Sequence, residues 1–322
     1  MERPGVPTRW GTMRAVALTE YGPPEVLSVR EMPDPPVGPD VVLVRVAAAG
    51  VNPVDLLIRQ GHLRSYYPHH EPLVPGFDVA GTVEQAGPAA LGFAPGDPVI
   101  GYVRRDEVQY GTYAELVPAP LRTLAHRPPE LDLTQAAGLP LTGLTALQAL
   151  LAAGTHEGDT VLVYAAAGGV GHLAVQIARE LGAARVLGTA SPHNDDFVRS
   201  LGAEPVGYGA GLAERVAALV GGDGRVDVVV DFIGGDALQV APTLVRDPAR
   251  HVSVVDPAVL AQGGRYVWVR PDSEQLAWLA KLAAEGRLSI EVQQTFPLEQ
   301  APQAQALLEE RHVRGKLVLR LG

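Results

Sequence analysis

Apolar and polar residues alternate along the first third of the chain. The runs at 14–18, 41–47, 79–84, 97–102 and 113–117 (RAVAL, VVLVRVA, VAGTVE, DPVIGY and YAELV) are strand-like, several with the period of two expected when one face is buried. Prolines separate them: 19 of the chain's 28 lie in the first 134 residues, in clusters such as Pro33, Pro35, Pro36 and Pro39, a density that excludes long helices there. A mostly β domain is expected. From about Thr134 the pattern changes. Near-continuous apolar runs at 160–164, 185–189, 226–232, 251–255 and 266–269 alternate with segments of helical period, such as Leu173, Ile177 and Leu181, or Leu212, Val216 and Leu219. Strands apolar on both faces with helices between them predict a parallel, doubly wound sheet covered on both sides. The last helix of this part, about 273–285, ends at Gly286. After it, 290–298, a short helix near 300–310 and the run 316–321 return to the β texture. The expected division is 1–134 with 287–322 in one domain, residues 1–12 being a loose arm, and 135–286 in the other.

A length of 322 residues fits two cores, and 47% hydrophobic against 19% charged residues fits a folded chain. The formal charge of −10 disfavours phosphate backbones and anionic membranes, so neither nucleic acid nor a membrane is expected as a partner. The absence of cysteine removes disulfide scaffolds, thiolate nucleophiles and Cys-ligated metal. No apolar run reaches the ~18 residues of a spanning helix, and Glu2, Arg3 and Arg9 stand where a signal peptide needs apolar residues; a soluble, cytoplasmic protein is expected. Only two of the 26 basic residues are lysines, Lys281 and Lys316, a bias to which the sequence attaches no function.

Residues 160–171 read TVLVYAAAGGVG, a buried-type strand running through a glycine turn into a helix. A pyrophosphate must approach backbone N–H groups at a helix N-terminus, and a Cβ at the closest positions would block it. Ala166, Gly168 and Gly171 occupy the three positions of a dinucleotide fingerprint, Ala replacing the first glycine and Gly169 added in the middle. An NAD site presents a carboxylate at the tip of the next strand, about 20 residues on. Ala190 stands there instead, followed by Ser191, His193 and Asn194 as donors, with Arg199 beyond. The missing acid admits the 2′-phosphate of NADP without demanding it.

Taken together, YGPPEVL (21–27), AAGVNPVD (48–55), PGFDVAGTV (75–83), GDPVIGY (96–102), LTGLTAL (141–147), AAAGGVG (165–171), VDVVVDFIGG (226–235) and GRYVWVRPD (264–272) resemble the zinc-independent medium-chain dehydrogenase/reductases of the quinone oxidoreductase, zeta-crystallin-like type, from about Met13 to the C-terminus. The resemblance implies an α/β protein with a GroES-like mostly-β domain and a Rossmann domain, NADP(H) in the cleft between them, and a homodimer. Zinc-dependent members carry a Cys near the position of Asn52 and a His-Glu pair after Gly76; here the residues are Asn52, Phe77 and Asp78, and no metal is expected. His69 and His70 precede Glu71, but consecutive residues rarely reach one ion, and a solvated loop is the simpler reading. Asn52 matches the family's Asn beside the nicotinamide and Thr145 the Thr of its GLT helix; Tyr208 and Arg311 match residues at the adenosine phosphate, while Asn194 stands where the family has Lys. Ala166, Gly168, Gly169, Val170, Gly171 and Phe232 complete the implied cofactor contacts. Leu57 and Leu63 replace two tyrosines frequent in the substrate pocket, with Tyr66 and Tyr67 as substitutes.

Such a site moves a hydride to an electrophilic carbon and stabilises the resulting oxyanion. Asn52, Tyr66 or Tyr67 are candidate donors, with Asp55 as orienter; alternatively Asp55 caps or pins the helix after Pro53. Quinones and α,β-unsaturated carbonyls suit a site without metal, because conjugation spreads the charge. The alternatives are a 2-enoyl-thioester reductase on the same fold and a non-catalytic NADPH-binding sensor.

Overall fold

The computed structural model describes residues 11–321. A seven-stranded sheet is built on Val41–Val51, which pairs antiparallel with Asp78–Ala86 along one side. Its other side is shared: residues 41–45 pair with Leu116–Pro120 and residues 48–51 with Lys316–Arg320, so the end of the chain closes onto its first third. The expected strand at 113–117 is displaced to Leu116–Pro120; Pro118 and Pro120 are accommodated because that strand pairs on one side only. Of the expected arm, residues 1–10 lie outside the described residues, and Thr12 already belongs to the strand Thr12–Ala17, paired with Pro33.

The second sheet is six-stranded and parallel throughout. Its strands, in chain order, are β1 (Thr160–Val163), β2 (Arg185–Ala190), β3 (Glu204–Gly207), β4 (Val228–Asp231), β5 (His251–Ser253) and β6 (Arg265–Tyr266), with spatial order β3-β2-β1-β4-β5-β6. Val161, Leu162, Val163, Val228, Val229 and Val230 have no exposed surface, as strands covered on both faces require. Helices Gly171–Glu180, Asp195–Ser200, Leu212–Val220 and Asp236–Leu244 make the crossovers. Edge strand β3 gives no sequence signal, being four residues long and holding Pro205. The apolar run at 266–269 is paired only at Tyr266, and Trp268 lies beyond the strand.

The two sheets are locked together behind the cleft. Gln176 exchanges hydrogen bonds with Ser289, donating to its carbonyl at 3.0 Å and accepting its N–H at 2.8 Å. Four residues earlier on the same helix face, His172 accepts the N–H of Glu291 at 3.2 Å.

Candidate active site

The turn between β1 and its helix lies where the strand order reverses, the place at which open α/β sheets bind ligands. A Cβ on Gly171 would lie 2.1 Å from the carbonyl oxygen of Ala165, so only glycine lets the helix start this close to the strand. Gly168, Gly169 and Val170 are half-buried, and within the described residues the N–H groups of Gly169, Val170 and Gly171 donate to no protein acceptor. Three unpaired donors at the positive end of a ten-residue helix suit a pyrophosphate. Ala166 supports this turn from the core: its N–H donates to Thr189 O at 2.9 Å, and its Cβ leaves no room for a side chain at Gly188.

At the carboxyl end of β2, Ala190 is buried and the loop folds on itself: Asn194 Nδ2 donates to Ser191 Oγ at 3.3 Å, and Ser191 Oγ lies 3.1 Å from His193 Nδ1. Two acids follow, Asp195 and Asp196, and Arg199, expected as a further donor for this loop, pairs with both, at 3.6 and 2.8 Å. Tyr208 stands exposed beyond β3, its loop fixed by Arg215, which donates to the carbonyls of Gly207 and Ala210. Phe232 is half-buried after β4, in a loop held by buried Asp231, which accepts the N–H groups of Ile233 and Gly234 at 2.9 Å. Arg311 is exposed, with φ of 60°. Thr145 Oγ1 donates back to Leu141 O at 2.7 Å.

Asn52 and Asp55 are fully buried, and for Asn52 this differs from the expectation of a donor to the oxyanion. Asp55 takes the pinning role: its Oδ2 accepts the N–H of Asn52 at 2.9 Å and the hydroxyl of Tyr113 at 3.0 Å, fixing the start of helix Pro53–Arg59. Asp78 and Lys316 meet Asn52, and His172 sits under the glycine turn; none of the three had a role assigned from the sequence. Asp78 Oδ2 accepts from Asn52 Nδ2 at 2.8 Å, Lys316 Nζ donates to Asn52 Oδ1, and His172 holds the turn from below with Nδ1 2.9 Å from Gly168 O. Burial pushes the Asp55 carboxyl up to about 7 and that of Asp78 to about 6, and it lowers the Lys316 ammonium although both acids oppose the shift.

Aromatic rings close the mouth between the sheets. Tyr66, 66% exposed, stacks on Trp268 with centroids 5.2 Å apart, and Trp268 Nε1 donates to the hydroxyl of Tyr67 at 3.1 Å. The Tyr67 hydroxyl is the acceptor in that bond and keeps its own proton to donate. Trp268 follows β6, and Phe232 follows β4, so both line the half of the sheet opposite the β2 loop.

Residues 38–129 match the alcohol dehydrogenase GroES-like domain, and residues 201–319 match the zinc-binding dehydrogenase family. The chain is 33% identical over 316 residues to the chloroplastic NADPH-dependent alkenal/one oxidoreductase of Arabidopsis thaliana, covering 95% of this chain and 79% of that protein. It is 31% identical over 336 residues to the chloroplast envelope quinone oxidoreductase homolog of the same plant, covering 95% of this chain and 98% of that one. The solved quinone oxidoreductase of Coxiella burnetii shares the fold with a TM-score of 0.86 at 34% identity, covering 97% of this chain and 100% of that one. Fold and site define an oxidoreductase that uses a nicotinamide cofactor. The chain belongs to the quinone oxidoreductase group of the medium-chain dehydrogenase/reductase family.

The zinc in the family's description does not fit these residues. The chain has no cysteine, and among the described residues no three His, Asp or Glu side chains converge on one point. His69 and His70 serve different partners: His69 Nδ1 bonds the Tyr21 hydroxyl at 3.0 Å, and His70 faces Glu107 at 3.6 Å.

Proposed function

We propose that this protein is an NADPH-dependent reductase of quinones or α,β-unsaturated carbonyls that works without zinc. The observation that carries the reading is the set of three N–H groups at 169–171 that donate to no protein acceptor, in the turn at the switch point of the parallel sheet. NADPH, when bound, supplies the hydride. The turn at 166–171 holds the pyrophosphate; Ser191, His193, Asn194, Tyr208 and Arg311 receive the adenosine phosphate, with no carboxylate at Ala190 to repel it; Thr145 and Phe232 flank the nicotinamide end. Tyr67, its hydroxyl oriented by Trp268, donates to the oxygen that gains charge. Tyr66 and Trp268 offer flat faces to a conjugated acceptor and exclude water. The names of the two plant relatives, alkenal/one oxidoreductase and quinone oxidoreductase homolog, support that acceptor class. The reading extends to a cytoplasmic homodimer divided into domains 1–134 with 287–322 and 135–286.

The test is a panel of quinones, enones and enoyl-CoA esters, each incubated with NADPH or NADH and followed at 340 nm. Oxidation with quinones or enones and a preference for NADPH are expected. Turnover of thioesters alone, tight NADPH binding with no turnover, or a tenfold preference for NADH would each overturn the corresponding part. Light scattering of the eluted protein decides the dimer.

A further inference from the structure

Lys316 has no part in the reading above, yet it is one of the chain's two lysines and is buried to 3% exposure. A buried cation is destabilising unless it is paired and hydrogen-bonded, so its retention calls for a reason. Its Nζ donates to Val51 O at 2.9 Å and to Asn52 Oδ1, with Asp78 Oδ2 4.0 Å away. Asn52 Nδ2 donates to that same Asp78 oxygen at 2.8 Å, and Asp78 Oδ1 accepts the N–H of Leu141 at 2.8 Å. An ammonium can only donate and a carboxylate only accepts, so these two neighbours determine which edge of the Asn52 carboxamide points where. The same lysine also reaches the cofactor turn. A Cβ at Gly169 would meet Lys316 Cδ at 3.4 Å, and the preceding residue, Gly315, donates its N–H to Ala167 O at 2.9 Å.

We propose that Lys316 is a positioning residue for hydride transfer: it fixes the buried carboxamide of Asn52, and with it the start of helix Pro53–Arg59 that leads to Tyr66 and Tyr67, while its stem props the turn that holds the pyrophosphate. The proposal rests on the cofactor reading given above. Asp78 balances the charge and holds the other edge of the same amide. Methionine in place of Lys316 keeps the stem's volume and loses both the charge and the donor.

Three chains decide the matter: Lys316→Met, Lys316→Arg, and Lys316→Met with Asp78→Asn. Lys316→Met alone leaves Asp78 buried without its counter-charge, so a lowered melting temperature is expected whatever its role. The double variant removes both charges, and its melting temperature should return to within a few degrees of the wild type. A positioning role predicts that kcat stays at least tenfold down in that stable double variant, that KM for the acceptor changes less than about threefold, and that Lys316→Arg recovers part of kcat. Recovery of kcat together with the melting temperature would reduce Lys316 to a structural counter-charge and overturn the proposal. Should the wild type bind NADPH and reduce no quinone or enone, the acceptor reading falls on its own. The emission of bound NADPH then decides: a nicotinamide signal changed in the double variant supports the proposal, and an identical one overturns it.

Discussion

His172→Gln removes a titratable ring that joins the glycine turn to the C-terminal segment. Because the carbonyl of Gly168 can only accept and the N–H of Glu291 can only donate, the ring is the neutral Nδ1–H tautomer, bonded at 2.9 and 3.2 Å. Protonation would turn Nε2 into a donor facing another donor. Burial, with the charge of Lys316 adding to it against the Gly168 bond, lowers the imidazole from 6.5 to about 4. The folded value lies below the unfolded one, so this group's contribution is complete above pH ~6.5 and is lost as acid is added toward pH 4. A gap of about 2.5 pH units corresponds to ~3 kcal/mol, of which ~2 kcal/mol is gone by pH 5. Urea unfolding of both chains at several pH values between about 7.5 and 4.5 measures it, since carboxylates common to both cancel in the difference. The variant should be less stable at the upper end, with the gap closing by ~2 kcal/mol at pH 5. Parallel stability curves, or a gap that widens in acid, would show that the ring is not held neutral by these two bonds.

Gly171→Ala places a methyl 2.1 Å from the Ala165 carbonyl oxygen, so a destabilisation of ~1–3 kcal/mol and loss of NADPH affinity by tenfold or more should appear in melting and fluorescence titration; unchanged binding would refute the close approach. Trp268→Phe keeps the ring face but removes the 3.1 Å bond to Tyr67, and a loss of ~1 kcal/mol, about fivefold in kcat/KM for a quinone, is expected with the melting temperature little changed. An unchanged kcat/KM would take Tyr67 out of the mechanism. Arg311→Ala should weaken NADPH by about tenfold, ~1.4 kcal/mol, while NADH is unaffected; equal losses for both coenzymes would mean that it does not read the 2′-phosphate.

Elements whose residues are contiguous were legible in the sequence. The turn at 165–171 carries strand, glycines and helix start in one string, and the both-faces-apolar runs at 160–164 and 226–232 announce a parallel sheet. Even the pinning role of Asp55 could be read from the spacing Asn-Pro-x-Asp. Groups assembled from distant parts of the chain were not. Asn52 meets Asp78 across 26 positions and Lys316 across 264, and no local pattern encodes such a meeting. One signal was available: a rare lysine opening the apolar run 316–321, at a position where a central strand leaves no route to solvent. Trp268 escaped because its run reads as strand while pairing stops at Tyr266, and that release is what lets the indole meet Tyr67.

The proposed reaction is direct hydride transfer from NADPH to a conjugated acceptor in a cleft that needs no metal. NADPH deuterated at C4 on the transferred face, mixed with an α,β-unsaturated ketone and chelator-treated protein, tests it in one measurement. Direct transfer predicts one deuterium at the β-carbon of the saturated product, formed at the rate seen before chelation. Product without deuterium, or activity that disappears with chelation and returns with zinc, would contradict it.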